Sequence, residues 1–139
     1  MIIAGTCYSY KKEILQGVHQ PTDSYMLALF TSSASIGPST TSYSGQAGEV
    51  ANGNGYTTGG KALSGFSVGL TGAVAFLDFT DSLWNPATIT ARGALIYNAS
   101  QGNKAVAVLD FLGDIVSTNG PFTVTFPAND ADHAFIALT

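Results

Sequence analysis

The chain has 139 residues, a formal net charge of −4, 45% hydrophobic residues and only 10% charged residues. Ordinary soluble domains carry roughly 25% charged residues, so we expect much of this surface to be covered by other protein. The acidic balance excludes a nucleic-acid binder, which needs a basic face, and Cys7, as the single cysteine, excludes an internal disulfide. We expect no targeting leader, and the uncharged stretch from Ala62 to Leu77 is too short and too polar to span a membrane.

In chain order, the first predicted element is a helix from Tyr10 to His19. Apolar residues recur there at helical spacing, and Pro21 ends the pattern soon afterwards. We therefore divide the chain into an N-terminal arm or short helix, residues 1–22, and a single β-sandwich domain, residues 23–139.

Strand patterns separated by turn residues follow the helix. The first predicted strand, Ser24 to Thr31, is apolar on both faces, and Asn52 to Gly55 is a strong turn signal. Between them, Ser32 to Val50 is long for a loop and predicts a functional arm or an added edge strand. The later predicted strands are Lys61–Val68, Ala73–Phe79, Thr88–Tyr97, Lys104–Phe111, Phe122–Phe126 and Ala134–Leu138. This all-β pattern predicts an antiparallel β-sandwich or barrel.

Two of these strands are similar in sequence. Ala73 to Phe79 reads AVAFLDF, and Ala105 to Phe111 reads AVAVLDF. We favour matching central positions in the fold over a duplicated domain. Because both faces of these strands are apolar, they are buried either beneath loops and the helix or against another subunit.

Acidic residues follow or end the two similar strands: Asp78, Asp81, Asp110 and Asp114. Gathered at one end of a sandwich, they could bind Ca²⁺ or provide a carboxylate pair for glycoside hydrolysis. Aspartate is also common at turns, which we favour here. The two histidines, His19 and His133, lie in separate segments without the spacing of a zinc site.

Aromatic residues give a further candidate site. Trp84, together with Tyr43, Tyr56 and Tyr97, could stack against a sugar ring. Trp and Tyr are also favoured in cores and as anchors of protein interfaces, so all three roles stay open for Trp84.

A succession of short motifs carries a family resemblance. In order they are Asp23 to Ser32 (DSYMLALFTS), Pro38 to Tyr43 (PSTTSY), Gly48 to Val50 (GEV), Gly53 to Thr57 (GNGYT) and Gly59 to Leu63 (GGKAL). This succession resembles the capsid cement, or decoration, proteins of tailed bacteriophages, in particular those of Bordetella-type podoviruses. The resemblance implies a jelly-roll β-sandwich that forms a homodimer on the virion capsid and bridges major capsid protein subunits, with no catalytic residue and no cofactor.

A cement protein needs contact residues on its surface. We predict lattice contacts in the N-terminal segment, the Ser32–Tyr56 region and the Trp84 loop, through Tyr10, Ile14, Tyr25, Tyr43, Tyr56 and Trp84. Neither nucleic acid nor a membrane is expected as a partner. The alternatives are a phage tail or fibre domain that binds host carbohydrate through Trp84, and a glycoside hydrolase that uses two of the aspartates.

Overall fold

The computed structural model describes residues 1–126 and 136–138, and it is mostly β, with 51% strand and 9% helix. The prediction of an all-β, antiparallel sandwich with one short helix is confirmed. His133 and the first two residues of the predicted strand Ala134–Leu138 lie outside the described residues. The elements are β1 (Gly5–Thr6), α1 (Tyr8–Leu15), β2 (Tyr25–Phe30), β3 (Lys61–Ala62), β4 (Ser67–Thr71), β5 (Val74–Asp78), β6 (Ser82–Asn98), a 3₁₀ turn (Ala99–Gln101), β7 (Lys104–Val124) and β8 (Ile136–Leu138).

The strands form two sheets around one core. The larger sheet has the order β1-β7-β6-β2-β3, the smaller has the order β4-β5-β8, and every pair is antiparallel. Buried side chains of both sheets belong to one hydrophobic cluster, with Leu27 and Val106 from the larger sheet and Leu77 from the smaller. The two sheets therefore share a single core.

The predicted strand from Lys61 to Val68 is wrong in one respect, because the chain changes sheets within it. β3 pairs with β2 in the larger sheet, whereas β4 pairs with β5 in the smaller one. Gly65 lies between them at φ +68°, a left-handed conformation that glycine adopts without steric cost. The backbone turns there and enters the second sheet.

A long hairpin of β6 and β7 dominates the larger sheet. The turn between Asn98 and Lys104 joins the two strands. The predicted strand Lys104–Phe111 and the first three residues of the predicted strand Phe122–Phe126 are parts of one irregular strand, β7, so the prediction of two separate strands is wrong. Register shifts absorb the residues between them within the ladder, and Asn119 takes a positive φ of 46°.

The N-terminal segment belongs to the same core as the sheets. Helix α1 is shorter than predicted, and it ends where Gly17 takes the left-handed conformation that commonly terminates a helix. Ile2, Cys7 and Tyr10 are buried, and β1 pairs with β7. The division at residue 22 therefore separates no independent layer of the structure.

The segment from Ser32 to Val50 is packed on the body instead of extending as an arm. Ala34, Ile36 and Val50 are buried in the core. Single antiparallel bridges join Glu49 to Phe30 and Ser42 to Lys104. The segment thus follows the larger sheet through isolated contacts and adds no regular edge strand.

The two similar strands both occupy interior positions, in agreement with the sequence interpretation. The first copy forms β5, which lies between β4 and β8. The second copy opens β7, which lies between β1 and β6. Each sheet therefore uses one copy as a central strand.

Candidate interaction surface

The carboxylate of Glu49 organises the region between β2 and β3. Its Oε1 accepts a hydrogen bond from the Tyr43 hydroxyl at 2.6 Å. Its Oε2 accepts from the Tyr56 hydroxyl and from the Gly59 backbone N–H, both at 2.7 Å. Charge-assisted hydrogen bonds of this length are the strong ones in proteins, so this network fastens the segment to the sheet.

Tyrosines complete the network around Glu49. Tyr97 stacks on Tyr43 with ring centroids 4.2 Å apart, and its hydroxyl donates to the Gly59 carbonyl at 2.6 Å. The Tyr56 hydroxyl also accepts from the Leu29 N–H at 3.0 Å. Burial, followed by the hydrogen bond to Glu49, raises the pKa of Tyr43 and Tyr56. Three of the four aromatics considered for a sugar platform thus form internal structure.

Trp84 is the fourth, and its side chain is only 4% exposed. Its ring lies edge-on to Phe122 at 6.2 Å and near Tyr56 at 6.1 Å. The Lys61 ammonium stands over the indole at 5.1 Å and donates to the Leu83 carbonyl. In the isolated chain no open indole face is offered to a sugar, and the core role applies to Trp84.

The predicted contact residues near the N-terminus lie at the other end of the sandwich. Tyr10 and Tyr25 are buried, and Ile14 is half-buried beside them. Burial raises the pKa of Tyr10 to about 12. Together with Phe66 and Val68 these three side chains line a cavity of about 180 Å³ between α1 and the smaller sheet.

The expectation that the six predicted contact residues lie on the surface therefore needs correction. Four side chains, Tyr10, Tyr25, Tyr56 and Trp84, fill the core of the isolated chain, because their rings carry the apolar area that a weakly charged domain must bury. Only Ile14 and Tyr43 are half-buried. Their role at a partner interface stays a prediction.

Polar side chains tie the end of α1 to the β6–β7 turn. The buried Asn98 amide donates to Asp23 at 2.9 Å and faces His19 Nδ1 at 3.0 Å, while its oxygen accepts from the Ser100 N–H. That arrangement leaves the proton of a neutral His19 ring on Nε2, which faces Glu13 Oε1 at 2.9 Å. The hydrogen bond from Asn98 is the main cause that lowers the pKa of Asp23.

The four aspartates do not act as one group. Asp78 accepts from the Phe79 N–H at 2.9 Å, Asp81 accepts from the Phe126 N–H at 2.8 Å, and Asp110 accepts from the Leu112 N–H at 2.8 Å. Within residues 1–126 and 136–138, no three His, Cys, Asp or Glu side chains are placed to hold a metal ion. The local role favoured from the sequence describes Asp78 and Asp110, which accept from backbone N–H groups one and two residues later, whereas Asp81 accepts from a residue distant in sequence.

A bulge in β7 forms the most conspicuous feature of the surface. Arg92 of β6 lies opposite residues 111–114, because Ala91 pairs with Ile115 whereas Gly93 pairs with Asp110. Leu112 lies in this bulge at φ +64° and is 84% exposed. A left-handed conformation costs a residue with a Cβ about 1–2 kcal/mol, so the fold holds an apolar side chain in water at the expense of backbone strain.

Two side chains fix the bulge in place. Asp110 accepts the Leu112 N–H at 2.8 Å and also accepts from Arg92 Nε at 3.1 Å. The backbone bond to Leu112 is the larger cause, and the Arg92 guanidinium a further one, that lowers the pKa of Asp110. An ionised Asp110 thus anchors the turn that presents Leu112.

The surroundings of the bulge are uncharged and apolar. Residues 82–91 and 115–126 of the hairpin contain no Asp, Glu, Lys or Arg. Val116 is exposed next to the bulge, and a cleft of about 580 Å³ opens beside it between the N-terminal segment and β7, lined by Gly5, Phe111 and Ile115 among others. We call Leu112, Ile115 and Val116 with this cleft the bulge surface.

Sequence reasoning missed the bulge surface, because it placed Leu112 after the end of a strand. The available signal was the run Asp110-Phe-Leu-Gly-Asp114, in which apolar residues and a glycine stand between two acids. Such a run is unusual for a strand interior, where Gly commonly marks a bulge. The pairing with Arg92 could not be read from the chain.

Comparisons with known proteins give no relative. No family model, no curated protein and no solved structure matches the chain. Among the described residues, no helix is long and apolar enough to cross a membrane.

Proposed function

We propose that this protein is a non-enzymatic structural protein of a bacteriophage head, which stabilises the capsid by bridging neighbouring major capsid protein subunits. The motif succession between Asp23 and Leu63 supports this assignment through its resemblance to cement proteins. The jelly-roll connectivity, the homodimer and the location on the virion, assembled in the host cytoplasm, are parts of the same proposal.

The observation that carries the proposal is the rigid exposure of Leu112. An apolar side chain held in water by a strained turn and an ion pair is costly for an isolated domain. It becomes favourable when a partner covers the side chain, and fully burying a leucine contributes about 1.5–3 kcal/mol. The bulge surface is thus the face that we expect to dock on the shell.

The charge distribution supports a protein partner for this face. Interface centres are depleted of charged residues and enriched in apolar ones, and the distal part of the hairpin has this composition. Arg92 and Asp110 are already paired with each other at the bulge, whereas Asp114 is exposed within the bulge and has to stay at the solvated rim of the interface or be paired by the partner. A cement protein repeats such contacts over the lattice, and modest individual contacts then add up through multivalency.

Co-sedimentation with empty heads of the phage that encodes the protein tests the proposal. We expect the wild-type protein to pellet with the heads at saturable stoichiometry, and Leu112→Lys to bind at least about tenfold more weakly, as loss of an interface anchor does. Val68→Thr serves as the control, because it changes an exposed apolar strand residue on the smaller sheet without adding a charge at the edge of β4, and threonine also favours a strand. Absence of wild-type binding to the heads would refute the function.

The carbohydrate alternative has its own test. A glycan array with the wild type and Trp84→Phe separates a sugar-binding domain from a cement protein, which shows no glycan preference. Trp84→Phe keeps an aromatic ring in the core, so a specific signal that this variant loses would replace the capsid proposal with the tail-fibre alternative.

A further inference from the structure

β4 is an edge strand without the usual protection against pairing. Within residues 1–126 and 136–138, β5 is the only strand that pairs with it. Natural edge strands are commonly protected by charged side chains, Pro, bulges or very short length. β4 is Ser-Val-Gly-Leu-Thr over five residues, with a regular register to β5 throughout. The edges formed by β1 and β3 are only two residues long.

The register decides which backbone groups face outward. Thr71 pairs with Val74 across the two-residue turn at Gly72-Ala73, and this flanking pair is hydrogen-bonded in such hairpins. Bonding alternates along the strand, so Gly69 and Ser67 also bond toward β5. The N–H and C=O groups of Val68 and Leu70 therefore point to the open edge.

The side chains of the same two residues are exposed. Val68 is 64% and Leu70 is 72% exposed, and both lie on the face that carries Ala75 and Leu77 of β5. On the opposite face, a Cβ at Gly69 would overlap the Phe76 ring, so that ring already covers the glycine. Among the described residues of β4, the exposed apolar side chains that a partner could cover are therefore those of Val68 and Leu70.

We propose that β4 pairs with β4 of a second copy of this chain, in antiparallel orientation about a two-fold axis at Gly69. Val68 of each copy then exchanges both backbone hydrogen bonds with Leu70 of the other. The two small sheets become one continuous sheet through the dimer. This inference rests on the homodimer named in the proposed function and deepens it by identifying the strand through which the two copies pair.

Two properties of the strand select a second copy over a different partner. First, the outward groups and apolar side chains are placed symmetrically about Gly69, so the edge is complementary to itself, as a two-fold interface must be. Secondly, pairing about a two-fold axis brings a charged side chain near the axis close to the same side chain of the other copy. The stretch from Ala62 to Leu77 contains no charged residue, so no such repulsion arises. Valine and leucine of opposite copies meet on one face, where cross-strand apolar pairs stabilise a sheet.

Sedimentation velocity of the purified protein alone tests the pairing. We expect a reversible monomer–dimer equilibrium between about 10 μM and 1 mM, the range expected for a small interface. Val68→Lys should weaken the dimer by roughly tenfold or more, because each ammonium group would lie opposite the apolar Leu70 of the other copy and roughly 7–8 Å diagonally from the second ammonium group. Leu70→Pro removes the outward N–H and should do the same.

Val116→Lys is the matched control for these variants. Val116 is 63% exposed and also lies on a strand, but it belongs to the larger sheet. The control should dimerise like the wild type, and all variants should show the same far-UV circular dichroism. A wild type that stays monomeric at about 1 mM, roughly the upper limit of weak pairing, would overturn the proposal.

Two further outcomes also decide against self-pairing. Val116→Lys could dissociate the dimer while Val68→Lys leaves it intact, which would move the interface to the larger sheet. Amide exchange at Val68 and Leu70 could slow only when phage heads are added, which would make the occupant a strand of the shell. Because the main experiment uses the isolated protein, its failure removes the homodimer but leaves the binding to the shell standing, and failure of head binding leaves the dimer standing.

Discussion

The two similar strands of this protein differ in burial although their sequences nearly coincide. In the second copy, Ala105 to Val108 are all buried, whereas Leu109 to Phe111 are half-buried. In the first copy, Val74 and Ala75 are only half-buried, and burial is confined to Phe76, Leu77 and Phe79. The same sequence pattern is thus sealed over its first four residues in one sheet and partly open there in the other.

The neighbours explain the difference. Beside the second copy, the Ala105 N–H donates to the Thr41 carbonyl at 3.0 Å, and the Val106 carbonyl accepts from the Cys7 N–H at 2.9 Å. The N-terminal segment and the Ser32–Val50 region therefore close that edge. The first copy lies next to β4, whose outer edge is open among residues 1–126 and 136–138. Burial of a strand is decided by segments distant in sequence.

Matched substitutions at equivalent positions give the largest expected effect. Ala107→Asp places a carboxylate in a fully buried site, where an unpaired charge costs several kcal/mol, a large part of the about 5–15 kcal/mol that stabilises a domain. Ala75→Asp changes the equivalent, half-buried position and should cost about 1–2 kcal/mol. Urea unfolding followed by circular dichroism measures both. Equal losses would show that the burial difference has no energetic weight.

Removal of the Glu49 carboxylate should have the next largest effect, because it releases the segment that covers the second copy. Glu49→Ala leaves the Tyr43 and Tyr56 hydroxyls and the Gly59 N–H without their acceptor, and we expect a loss of about 3 kcal/mol in the free energy of unfolding. Glu49→Gln, which keeps one acceptor oxygen, is the control and should lose less. Amide exchange at Gly59 and at Ala105 should accelerate in Glu49→Ala, whereas unchanged exchange at Ala105 would separate the network from the cover.

The smallest expected effect concerns Asp110, near the end of the second copy. The pKa of Asp110 is lowered in the folded state, so its ionisation stabilises the fold above its unfolded-state pKa of about 3.9. That stability is lost as the pH falls through the lower, folded-state pKa. Asp110→Asn should therefore flatten the decline of the free energy of unfolding below about pH 4.

A second variant separates the two causes at Asp110. Arg92→Gln removes the guanidinium but leaves the Leu112 N–H, which is the larger cause of the lowered pKa. Most of the acid-dependent decline should persist in Arg92→Gln when urea midpoints are measured from about pH 2 to 6, roughly two pH units on either side of the unfolded-state pKa. A decline abolished equally by both variants would assign the anchoring of the bulge to the ion pair instead.

The buried Cys7 lies beside the second copy, in the segment that covers it. Burial, with a smaller contribution from Glu13, raises the pKa of the Cys7 thiol to about 12. Its backbone N–H is also the donor that closes the edge at Val106. The sequence interpretation of Cys7 as a small buried residue agrees with this placement.

The candidate surfaces could be predicted only in part. The scarcity of charge predicted a surface with exposed apolar area. Five aromatic residues and Ile14 were predicted to provide that area, but four of these six side chains are buried. Tyr56 and Trp84 pack against each other because the chain returns to the same place over a long sequence distance. Leu112 escaped notice because its exposure depends on a register shift against Arg92, a partner in another strand.

The sequence by itself determined the local elements: an amphipathic helical segment before Pro21, alternating strands, and the turn from Asn52 to Gly55, where Gly and Asn permit left-handed backbone. Short-range sterics and side-chain periodicity act within a few residues, so a single segment is enough to specify them. Only the tertiary structure decided which copy of the repeated strand is sealed, which sheet β4 joins and where the strain at Leu112 falls. Those outcomes depend on contacts between segments that are distant in sequence. The hydrogen bonds and apolar contacts between such segments form only when the whole chain folds around one core.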